Sequence, residues 1–320
     1  MKRTAALLLA LAALLPAGAY AAFPGRNGAI VYGYVEGGTV LDDETGEDAN
    51  SVEKSIRVRT GRYDSRFLTG CTDIYLSDSA CERQSFSDPA FSPDGARVVL
   101  DAGASLALVD FDGSDFRLLP AHGQDDGMPT FSPDGSRLAF GSGAPVRYGH
   151  PSPRGIWISD TDGGGARRLV AGDAPAWSSR GWIAFVRRRA VYRIRPDGTG
   201  LKLLVRNSIA PEWSPDGRRL AVSSFGVRDH RTRRVIRRGG VIVMDADGRR
   251  GHMIYRNEGA DSPNEIAWSP DGRRLLIMPN DLMTIDLGGR LVRDLGESYY
   301  DGADDLWGMQ GIAWQPLPRR

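Results

Sequence analysis

Residues 213–222 read WSPDGRRLAV, and close copies stand at 91–100 (FSPDGARVVL), 131–140 (FSPDGSRLAF) and 268–277 (WSPDGRRLLI). Each copy has one physical parse. The aromatic ends a short strand. Ser-Pro-Asp-Gly is turn chemistry, in which Pro presets φ, Asp bonds back to the backbone and Gly accepts φ > 0. The alternating aliphatic stretch that follows is the next strand. Two degenerate copies extend the series, APAWSSRGWIAFV at 174–186 and GIAWQPLP at 311–318. The marker aromatics are then Phe91, Phe131, Trp177, Trp213, Trp268 and Trp314, spaced by 40, 46, 36, 55 and 46 residues. Periods of this size indicate a solenoid or a propeller.

A second phrase interleaves with the first. Residues 106–119, 156–170, 191–205 and 241–255 each read strand, Asp-Gly turn, strand, with weaker versions at 55–68 and 283–295. Each period is therefore four antiparallel strands, a to d, which is one propeller blade. GRNGAIVYGYV near the start looks like strand b without its strand a, and GIAWQPLP near the end looks like strand a without its blade. Joined, they complete a sixth blade and leave no open edge. The expected fold is all-β: a six-bladed β-propeller of four-stranded antiparallel blades, closed by pairing of the terminal strands.

WSPDG, followed by an aliphatic strand and then by IVMDADG, resembles the TolB-type (WSPDG-repeat) β-propeller family. The resemblance covers nearly all of residues 22–320 and implies the propeller fold, with a binding role in envelope assemblies. The family's type member also carries an α/β domain, and no helical period between residues 22 and 90 supplies one here.

The first 21 residues have a cationic start (Lys2, Arg3), an apolar run from Ala5 to Leu15 and a small-x-small site at Ala19-Tyr20-Ala21. They read as a signal peptide cleaved before Ala22, with residues 22–320 as a single domain. No later stretch is long and apolar enough to span a bilayer. The expectation is an exported monomer, periplasmic, in the cell envelope or secreted. Without the leader the chain has 39 basic and 40 acidic residues. That balance argues for neither nucleic acid nor an anionic membrane. Cys71 and Cys81 are the only cysteines. In an oxidising compartment they can form a disulfide, contributing about 3 kcal/mol by chain entropy.

In an up-and-down blade the a–b and c–d turns share one face, and the b–c and d–a loops share the other. The long insertions, 36–54, 141–155 and 223–240, are b–c loops, and the Cys71–Cys81 segment is a d–a connection. All gather on one face, where binding residues tend to be placed. Just before strand a of each blade stand Asp88, Asp126, Asp173, Glu212, Glu265 and Asp305. Such a ring of acids at a channel mouth would attract a cation or a Lys/Arg-bearing segment. Individually, each could instead cap its own turn. Asp42, Asp43, Glu44, Glu47 and Asp48 make one loop acidic. Arg228, Arg231, Arg233, Arg234, Arg237 and Arg238 make another basic, and Arg187-Arg188-Arg189 could extend it. Aromatics do not interleave with these arginines, which speaks against nucleic acid.

No catalytic signature is present: there is no G-x-S-x-G and no H-E-x-x-H. The four histidines, His122, His150, His230 and His252, form no local metal-ligand pair. The Asp-x-Asp-Gly phrases at 110, 160 and 245 lack the distal Glu of a calcium loop and read as turns. The sequence therefore points to a non-catalytic scaffold that engages a protein or peptide through its loop-rich face. It implies no cofactor beyond a cation in the channel. The alternative is a metal-dependent lyase or hydrolase acting on an extracellular or cell-wall carbohydrate, with His122 or His150 as ligands.

Overall fold

A computed structural model of the chain describes residues 24–41, 48–59, 65–74, 86–123, 125–143, 154–228, 231–232, 234–257, 265–278, 282–295 and 308–318. They form six four-stranded antiparallel sheets arranged as a six-bladed β-propeller. Blade I takes its innermost strand from the C-terminus, Gly308–Leu317, beside Arg26–Leu41, Asp48–Arg59 and Ser65–Ile74. The inner strands of blades II to VI are Ser87–Phe91, Asp125–Phe131, Asp173–Trp177, Ser208–Trp213 and Glu265–Trp268. Each of the six ends on or just past its marker aromatic.

The terminal strands pair as the half-blades require, with Ile30 opposite Trp314 and Arg26 opposite Leu317. Polar contacts then tie the N-terminal strand to blade VI. Gly25 N–H donates to Pro270 O at 3.0 Å, and Asn27 Nδ2 donates to Asp271 Oδ2 at 3.3 Å. Among the described residues the apolar core falls into six clusters, each between two neighbouring blades. The cluster between VI and I joins Ile30, Tyr32 and Ile312 to Ala267, Leu276, Leu282 and Leu295. Stability therefore comes from packing between blades, and it is continuous around the ring only because the termini meet.

The repeated phrase builds one hydrogen-bonded device. In blade V, Ser214 Oγ donates to Asp216 Oδ1 at 2.7 Å and accepts from Arg219 N–H at 2.9 Å. Asp216 also accepts from Arg218 N–H, and Gly217 takes φ +62°. The same set recurs at Ser92/Asp94, Ser132/Asp134 and Ser269/Asp271. Burial raises these aspartates, but the hydroxyl and backbone bonds outweigh it and hold all four below the usual carboxylate range. In blades V and VI the aromatic has a second task. Trp213 Nε1 donates to Ala176 O at 3.1 Å and Trp268 Nε1 to Glu212 O at 3.0 Å, each in the inner strand of the preceding blade. The Asp-x-Asp-Gly phrases are turns: Asp112, Asp162 and Asp247 each accept from the backbone N–H two residues on.

One expectation is corrected. Of the segment 36–54, residues 36–41 and 48–54 are strand rather than loop. The pairing runs from Glu36 opposite Glu53 out to Leu41 opposite Asp48, and the third strand follows as far as Ile74 opposite Ser51. Val35, Thr39, Val40 and Val52 are residue types that favour the extended chain. The acidic run at 42–47 and the proposed Cys71–Cys81 disulfide lie outside the described residues, apart from the backbone of Cys71 in its strand.

Removing one turn serine measures the device. Ser214→Ala leaves Arg219 N–H and Asp216 without their shared partner, at a cost of about 1–3 kcal/mol. Thermal denaturation should show the melting temperature falling by about 2–4 °C per kcal/mol, with circular dichroism unchanged.

Candidate functional site

The inner strands share a feature that shapes the axis. Three residues before the marker aromatic the backbone turns left-handed, at Asp88 (φ +48°), Met128 (+52°), Ala174 (+48°), Ala210 (+47°) and Gly311 (+69°). The ladder register breaks at the same place in those five blades. Each is a β-bulge, and in four blades the next residue is Pro (Pro89, Pro129, Pro175, Pro211). Pro has no N–H to give the ladder, and a bulge is where a sheet tolerates that. Left-handed backbone costs a non-glycine residue about 1–2 kcal/mol, so four such residues are an expense in stability that recurs around the axis. Gly311 could not be larger, because a Cβ there would sit 2.5 Å from Asp88 Cα.

The five bulged segments 88–90, 128–130, 174–176, 210–212 and 311–313, with the regular strand residues 265–267 of blade VI, line a central cavity of about 460 Å³. Its wall is mostly Pro, Ala, Ile and the marker aromatics, broken by four acids: Asp88, Asp173, Glu212 and Glu265. Asp173 pairs with Val186, the next-to-last residue of its blade's second strand, and Glu265 with Met278, the last of its own. They therefore stand at the loop-rich end of the axis, while Glu212, opposite Ala221, lies deeper, beside Trp213.

Three further side chains complete the acidic arc: Asp101, Asp125 and Arg154. Arg154 Nη1 meets Asp125 Oδ2 at 2.8 Å, and its Nε is 3.2 Å from Asp173 Oδ1. Asp101 packs so closely on blade III that a Cβ on Gly127 would meet its carboxylate at 2.4 Å. Six carboxylates from five blades thus gather around the axis, and Arg154 forms ion pairs with two of them, Asp125 and Asp173. Burial, followed by the Glu265 carboxylate, pushes Glu212 up to about 8. Burial and then Asp88 push Glu265 to about 8, against a lowering bond from Gly311 N–H. Burial raises Asp101 to about 7, with Asp88 and Asp125 adding to the shift and Gly103 N–H and Arg154 opposing it. Asp88 and Asp173 are also raised, first by burial.

Of the six acids expected at the rim, Asp88, Asp173, Glu212 and Glu265 line the cavity. Asp126 does not. It is fully buried and caps the turn before its strand, accepting from His122 N–H at 2.8 Å. Asp305 lies outside the described residues. Sequence reading missed Asp101, Asp125 and Arg154, and it passed over the Pro that stands two residues before four of the aromatics. That Pro was the available signal for the bulge.

Of the expected basic loop, Val227–Arg228 pairs with Val235–Arg237 as a small two-stranded sheet. Arg231, Arg234, Arg237 and Arg238 are exposed on it or beside it, and Arg228 lies in its first strand. Arg233 lies outside the described residues, as do His150 and His230. His122 packs on blade III: its Nε2 is 2.9 Å from Gly163 O and its ring lies against Phe140 and Trp157. Among the described residues no three His, Cys, Asp or Glu side chains gather in a way that could hold a metal ion.

No protein-family model matches the chain, and no curated protein matches its sequence. Solved structures do match in fold. TolB from Acinetobacter baumannii aligns at 16% identity with a TM-score of 0.58, over 92% of this chain and 68% of that one. A protein assigned as a TolB from Agrobacterium tumefaciens aligns at 19% identity and 0.57, over 88% and 91%. A chain of a nidogen/laminin complex aligns at 11% identity and 0.59, over 91% and 100%. At these identities the likeness is one of fold: this chain is a TolB-like β-propeller in architecture.

The raised glutamates have a stability consequence. Unfolded, each loses its proton near 4.5; folded, each keeps it to about 8. The native state binds more protons across that window, so stability is fullest below 4.5 and falls as pH rises through 8. Glu212→Gln should therefore raise the melting temperature at pH 9 and leave it nearly unchanged at pH 4, as read by scanning calorimetry.

Proposed function

We propose that this protein is an exported, non-catalytic binding propeller that holds a protein or peptide partner on its loop-rich face, with a Lys- or Arg-bearing segment of the partner entering the acidic channel. The supporting observation is the set of four carboxylates from four blades on one mostly apolar cavity. An apolar wall with a few converging polar groups is the usual composition of a binding site. A cationic side chain placed there would restore the ionised form of acids that now resist losing their protons. Its attraction would be strengthened by the low-dielectric wall. The amino-terminal signal-like segment supports export, and the cell envelope or the extracellular space is the compartment inferred from it.

Selection from a random peptide library tests the reading. The wild-type ring should enrich peptides with a basic residue at a fixed position, and affinity should fall about tenfold or more in the Glu212→Gln/Glu265→Gln variant, the loss expected for one charge-assisted contact. Enriched peptides without a basic position, or affinity indifferent to that variant, would refute it.

A further inference from the structure

The near-zero net charge conceals a division. Blades IV and V, residues 173–257, carry 19 Lys and Arg against seven Asp and Glu, while the rest of the chain after the leader carries 20 against 33. The ring is basic on one side and acidic on the other. Part of this basic charge is gathered on the loop-rich face. Arg188 and Arg189 sit in the b–c turn of blade IV, and Arg237 and Arg238 in the b–c insertion of blade V. Arg206 and Arg256 end the outer strands of the same two blades. All six are exposed.

The two blades' arginines are fastened together. Arg189 lies over the Phe225 ring at 4.1 Å. Arg237 Nη2 and Asn207 Nδ2 both donate to Phe225 O, at 3.0 and 2.9 Å. The blade IV turn and the blade V strand pair are therefore one surface. On it stand two apolar side chains with no cover in the fold: Ile236 is 67% exposed and Val227 41%.

We propose that this surface docks on an anionic lipid membrane. Arginines would meet headgroup phosphates and Ile236 and Val227 would enter the acyl boundary, as in interfacial segments that combine basic and apolar side chains. A soluble polyanion would use the arginines but leave the aliphatic side chains without a role. Single-stranded nucleic acid would need exposed aromatic platforms, and Phe225, the aromatic at the centre of the patch, is already covered by Arg189. The surface is off-axis and independent of the channel, so it stands or falls separately from peptide binding.

Vesicle flotation of the purified protein tests the assignment. Vesicles of phosphatidylcholine with one-third phosphatidylglycerol should bind it, and phosphatidylcholine alone should not. Arg188→Glu/Arg238→Glu should lower partitioning about tenfold or more, and Ile236→Ser/Val227→Ser should lower it several-fold with charge unchanged. All four positions can be screened for unaltered melting temperature. If the arginine variant proves unstable, wild-type partitioning must still collapse in high salt. The proposal is overturned by absence of binding to the anionic vesicles, or by binding that survives the arginine changes. It is equally overturned if Ile236→Ser/Val227→Ser has no effect while heparin binding depends on the arginines, since the surface would then serve a soluble polyanion.

Discussion

Pairing of the last strand with the first holds the rest of the structure in place. Blade I has no innermost strand until Gly308–Leu317 arrives beside Arg26–Leu41. Without it two of the six inter-blade clusters would lose a wall, because Ile312 packs toward blade VI and Ala313 toward blade II. Gln315 shows how closely the closure is fitted. It stands where the other blades have the turn Ser, and its amide reaches both ways: Oε1 accepts from Ala29 N–H, and Nε2 donates to Gly95 O in the next blade. A ring sealed this way has no unpaired inner edge to offer a foreign strand.

Closure also explains the cavity. Six inner strands can point at one axis only if the circle is complete. Once they do, the bulge in five of them narrows and shapes what lies between. The left-handed alanines, Met128 and Asp88 and the buried glutamates all work against stability. A protein keeps such features where the surrounding fold compels them or where a site uses them. Here the two are neighbours along the inner strands: Asp88 is itself left-handed, Ala174 follows Asp173 and Ala210 stands two residues before Glu212, and that juxtaposition marks the axis as the functional site.

The fold was legible in the sequence because its device is local. Ser, Asp and Gly of one turn satisfy each other within six residues, so the phrase can be read without knowing what it packs against. Its recurrence set the blade count, and the leftover half-blades set the closure. The site was legible only in part. Asp173 and Asp126 both stand at the start of an inner strand, yet one faces the axis and the other caps a turn. What separates them is one position of offset from the marker aromatic, four residues before Trp177 against five before Phe131, and in a strand one position changes the face. Arg154 comes to Asp125 and Asp173 from the far end of an insertion, and nothing adjacent to it in sequence announces that. At 36–41 and 48–54 Gly, Glu and Asp suggest a loop, whereas pairing with the neighbouring strand extends the sheet.

Charge follows the same lesson. A sum over the chain is blind to where residues fall on a ring, and two adjacent blades hold an excess that the others cancel. Function on such a scaffold is set by position around the axis, and position is secured by closure. Amide hydrogen exchange resolved to the two terminal strands tests that closure directly. The amides of residues 309–314 and 30–35 should exchange as slowly as those of the blade II core strand Val98–Leu100, and should become exposed together with them. Rapid exchange at 309–314 while blade II stays protected would contradict a ring sealed by its ends.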